Sequence, residues 1–342
     1  MKAVVFLGED QLDIREYPDP VPGPDEVVIR MKASGMCGSD LSHLHGPQRT
    51  GSQLVIEGHE PCGVVELVGN AVRPSEARVG DRVMVHHYDG CRTCRYCRSG
   101  WTEYCPNARI AYGGLNGDGG HADFMKVPAH TLIRLPDSLS FKTGAAISCG
   151  TGTAFGAIKR VGLSADETVA IFGQGPVGLS ATQLAVAMGA RVIALDVSPE
   201  RQALARAFGA HEVVDARSND PVEAIRGLTH GEGAHKTLDT SGASEARAAA
   251  VRAARTWGTA CYVGERGQVT LDVSPDLLRR QITLVGSWTF STQGQADCAE
   301  FVADHNVAVD KLFTDRWRLD QAEEAYRLFD TQTTGKGVIL PS

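Results

Sequence analysis

An α/β protein in two parts is what this chain predicts: a β-rich N-terminal domain followed by a doubly wound parallel sheet. Three observations carry the prediction. Up to residue 150 the apolar runs are short and broken by proline and glycine; from Thr151 strands alternate with alanine-rich helices; and Gly173-Gln174-Gly175-Pro176-Val177-Gly178 falls where a strand must turn sharply into a helix. Length agrees, since 342 residues are long for one domain. The boundaries expected are 1–150, 151–287, and a return to the first domain over 288–342.

The first strands are Lys2 to Phe6 and Leu12 to Tyr17. Pro18, Pro20, Pro22, Gly23 and Pro24 then break the chain before a strand from Glu26 to Ala33. Further strands are expected at Pro61 to Val68, Gly80 to Val85, Ala122 to Val127 and Thr131 to Leu135, with helix-like sequence only in short pieces. Beyond Thr151 the expected strands are Glu167 to Phe172, Arg191 to Asp196, Glu212 to Asp215, Lys236 to Asp239, Thr259 to Val263 and Thr283 to Ser287. Helices fall between them at Val177 to Met188, Pro199 to Ala207 and Ser244 to Ala253. Helices near Thr292 to Asp304 and Leu319 to Thr331 and a strand at Val338 to Leu340 complete the chain. No internal repeat or low-complexity segment interrupts this order.

The stretch Thr168 to Asp196 reads as a dinucleotide site. Val169 to Phe172 is continuously apolar, as a strand buried on both faces should be. Gly173 permits the tight turn, Gly175 lets the backbone approach a pyrophosphate, and Gly178 lets helix and strand pack closely. The helix that starts at Pro176 offers free N–H groups to phosphates. Asp196, eighteen residues past Gly178, ends the next strand, where a carboxylate can accept both ribose hydroxyls; this points to NAD rather than NADP.

Composition narrows the classes of function. With 42% hydrophobic and 22% charged residues the chain is globular rather than disordered, and a net charge of −7 without a basic tract gives no reason to expect nucleic acid or an anionic membrane as partner. The opening MKAVVFLGED has an apolar run too short for a signal-peptide core, and no stretch has eighteen uninterrupted apolar residues. A cytoplasmic location is therefore expected. In such a compartment nine cysteines suit metal better than disulfides.

Four of those cysteines, Cys91, Cys94, Cys97 and Cys105, have the spacing C-x2-C-x2-C-x7-C in a loop rich in arginine. Four thiolates suit a closed, structural zinc site. An iron–sulfur cluster is the competing reading, whose bacterial run is C-x2-C-x2-C-x3-C followed by proline; Pro106 is present, but the x7 spacing favours zinc. Two further segments, Gly58-His59-Glu60 and Cys37-Gly38-Ser39-Asp40, flank expected strands and are weak signals singly.

Together these segments, the cysteine lobe, Val79-Gly80-Asp81-Arg82-Val83 and the glycine turn with Asp196 resemble the medium-chain, zinc-dependent alcohol dehydrogenases of bacterial type over nearly the whole chain. The resemblance implies a GroES-like catalytic domain joined to a Rossmann domain. It implies a catalytic zinc on Cys37, His59 and Cys149, with one coordination position open, and hence two zinc ions per subunit. Asp40 would orient His59, Glu60 would sit beside the metal, and Ser39 would contact the substrate hydroxyl. Thr153, Val177, Arg201 and Val263 would join Gly173, Gly175, Pro176, Gly178 and Asp196 in binding the cofactor. The reaction implied is reversible oxidation of an alcohol to a ketone or aldehyde with hydride passing to NAD, in a homo-oligomer, dimer or tetramer.

Two positions depart from the pattern. Relatives often carry a proton-relay histidine five residues after the first ligand; here that residue is Ser42, and His43, one later, is expected to take the role. Where relatives have a pocket-lining aromatic residue, this chain has His87 between His86 and Tyr88, read either as a polar pocket for a polar or polyhydroxylated secondary alcohol or as a solvated strand end. A zinc-free medium-chain reductase and a non-catalytic NAD-binding redox sensor are the alternatives from other classes.

Overall fold

Strand Glu26–Gly35 is the spine of the first half of the molecule because its β-branched and aliphatic residues, among them Val27, Ile29 and Met31, are buried. It pairs antiparallel with Glu60–Val68, Phe124–Pro128 and the C-terminal strand Lys336–Leu340. Gly35 faces both Glu60 and Val338 in these ladders. Antiparallel pairing therefore brings the residues just after the first strand, those just before the second and those opening the last to one end of the sheet. Arg82–Val85, Leu132–Arg134 and Phe313–Arg318 complete its seven strands.

The computed structural model describes residues 1–107, 109–114, 116–331 and 335–341. They fall into two compact units: Met1–Gly152 with Phe290–Asp304 and the chain from Phe313 onward, and Thr153–Thr289 with His305–Leu312. The segment His305–Leu312 belongs with the second unit, where Gln183 Nε2 donates to the Ala308 carbonyl at 3.0 Å and Val309 and Leu312 are buried.

The second unit is a six-stranded, wholly parallel sheet in the order Glu212–Asp215, Arg191–Asp196, Thr168–Phe172, Ala234–Asp239, Ala254–Tyr262, Thr283–Gly286. The order reverses between Thr168–Phe172 and Ala234–Asp239, and in such sheets ligands bind beyond the carboxyl ends of the strands at that reversal. Val169, Ile171, Ile193 and Leu195 are fully or almost fully buried, each stabilising the sheet by roughly 1.5–3 kcal/mol relative to exposure.

The α/β class and the doubly wound sheet agree with the sequence reading, and the helices Pro199–Ala207, Ser244–Ala253 and Thr292–Asp304 have the expected bounds. Among the described residues, the helices of seven residues or more absent from that reading are Phe141–Ile147, Gly150–Val161 and Pro221–Leu228. The first two are rich in small buried residues such as Gly144, Ala145 and Ala146, which blur a helical apolar stripe. The third is started by Asp220, whose carboxylate accepts from the Val222 and Glu223 N–H groups at 2.8 and 3.0 Å. Strand Phe313–Arg318 was also not expected; alternate charged side chains mark its exposed face.

Candidate active site and metal centres

Cys37 stands two residues past the end of the spine strand, His59 just before its antiparallel neighbour, and Cys149 in the joint between helices Phe141–Ile147 and Gly150–Val161. Their donor atoms, with a carboxylate oxygen of Glu60, all lie within 4.8 Å of one another. The Cys37 and Cys149 sulfurs are 3.9 Å apart. With zinc–sulfur bonds of about 2.3 Å, two sulfurs on a tetrahedral edge would stand about 3.8 Å apart, so the pair fits zinc. Gly58 makes this convergence possible: its φ is +95°, and a β-carbon there would stand 2.5 Å from His121 Nδ1.

The electrostatics also suit a divalent cation. A hydrogen bond with Cys149 holds the Cys37 thiol well below its usual range against the opposing effect of burial, while the same bond and burial push Cys149 up, so the two sulfurs share a proton. Burial disfavours a charged His59, but Asp40 and Cys37 outweigh it and raise its pKa. Asp40 Oδ1 lies 2.9 Å from His59 Nδ1, which leaves Nε2 toward the sulfurs. Asp40 Oδ2 accepts the Cys37 backbone N–H at 2.8 Å. One buried carboxylate thus braces two of the three expected ligands.

Glu60 is fully buried and Lys336 nearly so, and the Lys336 Nζ stands 2.7 and 2.6 Å from the two Glu60 oxygens. Lys336 also donates to the Met36 carbonyl at 3.0 Å. Burial pushes Glu60 up to about 8 even though Lys336 pulls it down. Ser39 is exposed, and its hydroxyl donates to Cys37 Sγ at 3.3 Å and lies 3.4 Å from His59 Nε2. His43 is half-buried on helix Asp40–Leu44, and its Nδ1 is 3.3 Å from buried Glu57 Oε2, whose other oxygen accepts from Arg49 Nη1 at 3.2 Å.

His87 is buried, its Nδ1 3.1 Å from the Ser148 carbonyl and its ring 5.3 Å from that of His59. Because a carbonyl can only accept, Nδ1 carries the proton and Nε2 is an acceptor. His86 Nδ1 is 3.1 Å from Gln295 Oε1. Both rings are held away from bulk water, which leaves the solvated strand end without support. Lys336, Glu57, Arg49, Tyr326 and His121 had escaped the sequence reading. No local spacing links them to the ligands; only Glu57, immediately before Gly58, was close enough in sequence to have drawn notice.

In the lobe, the four sulfurs of Cys91, Cys94, Cys97 and Cys105 also lie within 4.8 Å of one another. Cys91 Sγ accepts from the Cys94 N–H at 3.4 Å and Cys105 Sγ from the Cys91 N–H at 3.3 Å, so tight turns aim backbone donors at the sulfurs. Side-chain hydrogen bonds from Thr93 and Asn107 pull Cys91 down to about 5. Four thiolates with no other donor in the set fit a closed zinc site.

In the second unit the glycine turn has the geometry a dinucleotide needs. Gly173 has φ +88°, a β-carbon on Gly175 would meet nothing within 4 Å, and one on Gly178 would stand 1.9 Å from the Gly173 carbonyl oxygen. Pro176 and Val177 open the helix Pro176–Ala187, whose N-cap Gly175 has no side chain to cap the first N–H groups. Asp196 is buried at the end of its strand, accepting the Gln174 N–H at 2.5 Å and the Ser198 N–H at 2.8 Å; each oxygen keeps a further lone pair. Arg201 lies in the first turn of Pro199–Ala207, its N–H donated to Ser198 Oγ. Val263 is buried and donates its N–H to the Asp239 carbonyl at 2.8 Å, beside the strand-order reversal. Thr153 lies half-buried on Gly150–Val161.

Residues 23–137 match the family described as alcohol dehydrogenase GroES-like domain, and residues 176–305 that described as zinc-binding dehydrogenase. The uncharacterized zinc-type alcohol dehydrogenase-like protein YphC of Escherichia coli (strain K12) is 39% identical over 350 residues, covering 99% of this chain and 98% of its own. Sorbitol dehydrogenase of Bacillus subtilis (strain 168) is 32% identical over 333 residues, 95% of this chain and 92% of its own. Among solved structures, alcohol dehydrogenase TADH from Thermus sp. ATN1 is similar over the full length of both chains, with a TM-score of 0.92 and 27% identity.

Proposed function

The chain belongs to the medium-chain zinc-dependent alcohol dehydrogenases and is a zinc-dependent alcohol oxidoreductase, and from that premise we propose that it oxidises a polar, polyhydroxylated secondary alcohol reversibly with NAD. The convergence of Cys37, His59 and Cys149 carries the reading. When bound on these residues zinc supplies a Lewis acid for the substrate oxygen, and nicotinamide supplies the hydride acceptor. The chain's own residues do the rest. Asp40 holds His59 in one tautomer, Lys336 holds Glu60 back, and Ser39, exposed beside both ligand atoms, takes the hydroxyl proton outward. Neither a zinc-free reductase nor a non-catalytic sensor calls for such a donor set.

His87 supports the polar substrate, since its Nε2 is an acceptor beside His59 where an aromatic ring would offer none. The sorbitol dehydrogenase similarity supports it independently. Primary alcohols, secondary alcohols, diols and polyols assayed with NAD and NADP test the proposal: kcat/KM should be highest for polyols with NAD, and a best substrate that is a simple primary alcohol would overturn it.

Asp196 sets the cofactor preference, because a buried carboxylate at the ribose position repels a 2′-phosphate. Asp196→Gly should lower the NAD-to-NADP ratio of kcat/KM by about tenfold or more. An unchanged ratio would show that another residue selects the cofactor.

His43 is proposed to finish the proton route. Its Nδ1 is anchored by Glu57, leaving Nε2 to accept a proton. His43→Ala should lower kcat for oxidation by about 10-fold or more, with partial rescue by added buffer base, and Ser39→Ala should cost more. A kcat for His43→Ala that matches the parent across pH would return the role to water.

Two zinc ions per subunit, a homo-oligomeric state and a cytoplasmic location complete the reading. The two donor sets support the first. For the second, Thr283–Gly286 is an edge strand of its sheet with Leu284 exposed, and Leu278 and Val273, which precede it, are exposed too. A dimer or tetramer would cover them. A reducing compartment suits thiolate ligands, and among the described residues no helix is long and apolar enough to cross a membrane.

A further inference from the structure

Behind Asp40 a hydrogen-bond chain continues through side chains that the reaction does not use. Tyr326, on helix Ala322–Asp330, donates its hydroxyl proton to Asp40 Oδ2 at 2.8 Å, across 286 residues of sequence. His121 Nε2 lies 2.7 Å from the same hydroxyl. Since the tyrosine's one proton is committed to Asp40, His121 must donate from Nε2. The chain is then polarised one way, His121 to Tyr326 and Tyr326 to Asp40, and His59 Nδ1 stands 2.9 Å from the other oxygen of Asp40 as a charge contact. Asp40 and His121 are fully buried and Tyr326 is 1% exposed, so water cannot replace any link.

We infer that Tyr326, backed by His121, is a positioning residue for zinc, acting through Asp40 on both His59 and Cys37. The inference rests on the reading of Cys37, His59 and Cys149 as ligands. Asp40 Oδ2 is shared between Tyr326 and the Cys37 backbone N–H, while Oδ1 meets His59. Two donors on Oδ2 fix the carboxylate's orientation and so hold Oδ1 against His59, which keeps the His59 ring and the Cys37 backbone in one relative placement. Tyr326 can hold it because its own ring is fixed, edge-on to Phe6 at 4.8 Å and packed with Met36, Leu41 and Ile339. Removing the hydroxyl leaves the carboxylate short of one donor and the His121 N–H without an acceptor, in a place closed to solvent. The helix near the C-terminus thereby sets the grip on a metal bound by residues from the first half of the chain.

The test is zinc release from the loaded enzyme into excess chromophoric chelator, read as two phases of one zinc each. Tyr326→Phe should speed the fast phase about 10–100-fold, the range in which partners of metal ligands act, and leave the slow phase of the four-cysteine lobe unaltered. A general loss of structure would move both phases. With Co2+ in the fast site, the ligand-field absorption of Tyr326→Phe should shift as well. His121→Phe, which leaves Asp40 and Tyr326 in place, should speed the fast phase by less, and the double variant should be no faster than Tyr326→Phe alone. If Tyr326→Phe does not fold, the acceleration in His121→Phe decides. A fast phase within about 2-fold of the parent in the soluble variants would overturn the inference while the ligand reading stands. Zinc in the untreated enzyme that leaves in the slow phase alone would remove the ligand reading and the inference together.

Discussion

Brief chelation is expected to abolish turnover while leaving the chain folded, whereas Cys94→Ser should cost the protein its solubility. The difference follows from the two donor sets. Cys37, His59 and Cys149 supply three ligands and keep a position open for a competing ligand, with exposed Ser39 beside them. Cys91, Cys94, Cys97 and Cys105 close a tetrahedron around themselves, and the lobe's only regular elements are the short turns Arg95–Arg98 and Thr102–Tyr104. There metal binding is folding free energy, because a few turns cannot bury enough apolar surface to hold their shape. Elemental analysis should give about two zinc per chain before treatment and about one after it, with far-ultraviolet circular dichroism unaltered. About one metal per chain at the outset would rule out the pair of sites.

Above about pH 8, where Glu60 is ionised, Lys336→Met should destabilise the protein by about 3–5 kcal/mol, the cost of leaving a buried charge without its partner, and the loss should shrink as pH falls through 8 and Glu60 takes up a proton. Glu60 is 0% and Lys336 2% exposed, with no water to take over the ammonium's hydrogen bonds to Glu60 and to the Met36 carbonyl. Pairing a methionine of similar length with Glu60→Gln removes the charge on both sides, and the double variant should recover most of the loss. Urea midpoints of the two single variants and the double one decide it. A Lys336→Met midpoint equal to the parent's would mean that Glu60 is neutral in the folded protein and that Lys336 does not hold it back from the metal.

Much of the molecule was legible in the sequence, for reasons that differ from residue to residue. The glycine turn, its strand and Asp196 are contiguous, so one stretch of chain records the tight turn at Gly173, the open cradle at Gly175 and the close packing at Gly178. The lobe is equally local, four cysteines within fifteen residues. Cys37, His59 and Cys149 were found through resemblance, because the ladder that joins their segments pairs residues far apart in sequence. What the chain alone determined is therefore its α/β class, its alternation of elements and each motif confined to one turn of backbone. Tertiary structure alone decided which distant groups complete the site: Lys336 on Glu60, Glu57 on His43, and Tyr326 with His121 on Asp40. Each of these fills the unmet hydrogen bond or charge of a buried or half-buried group, and that need arises only when folding removes the water that would otherwise satisfy it.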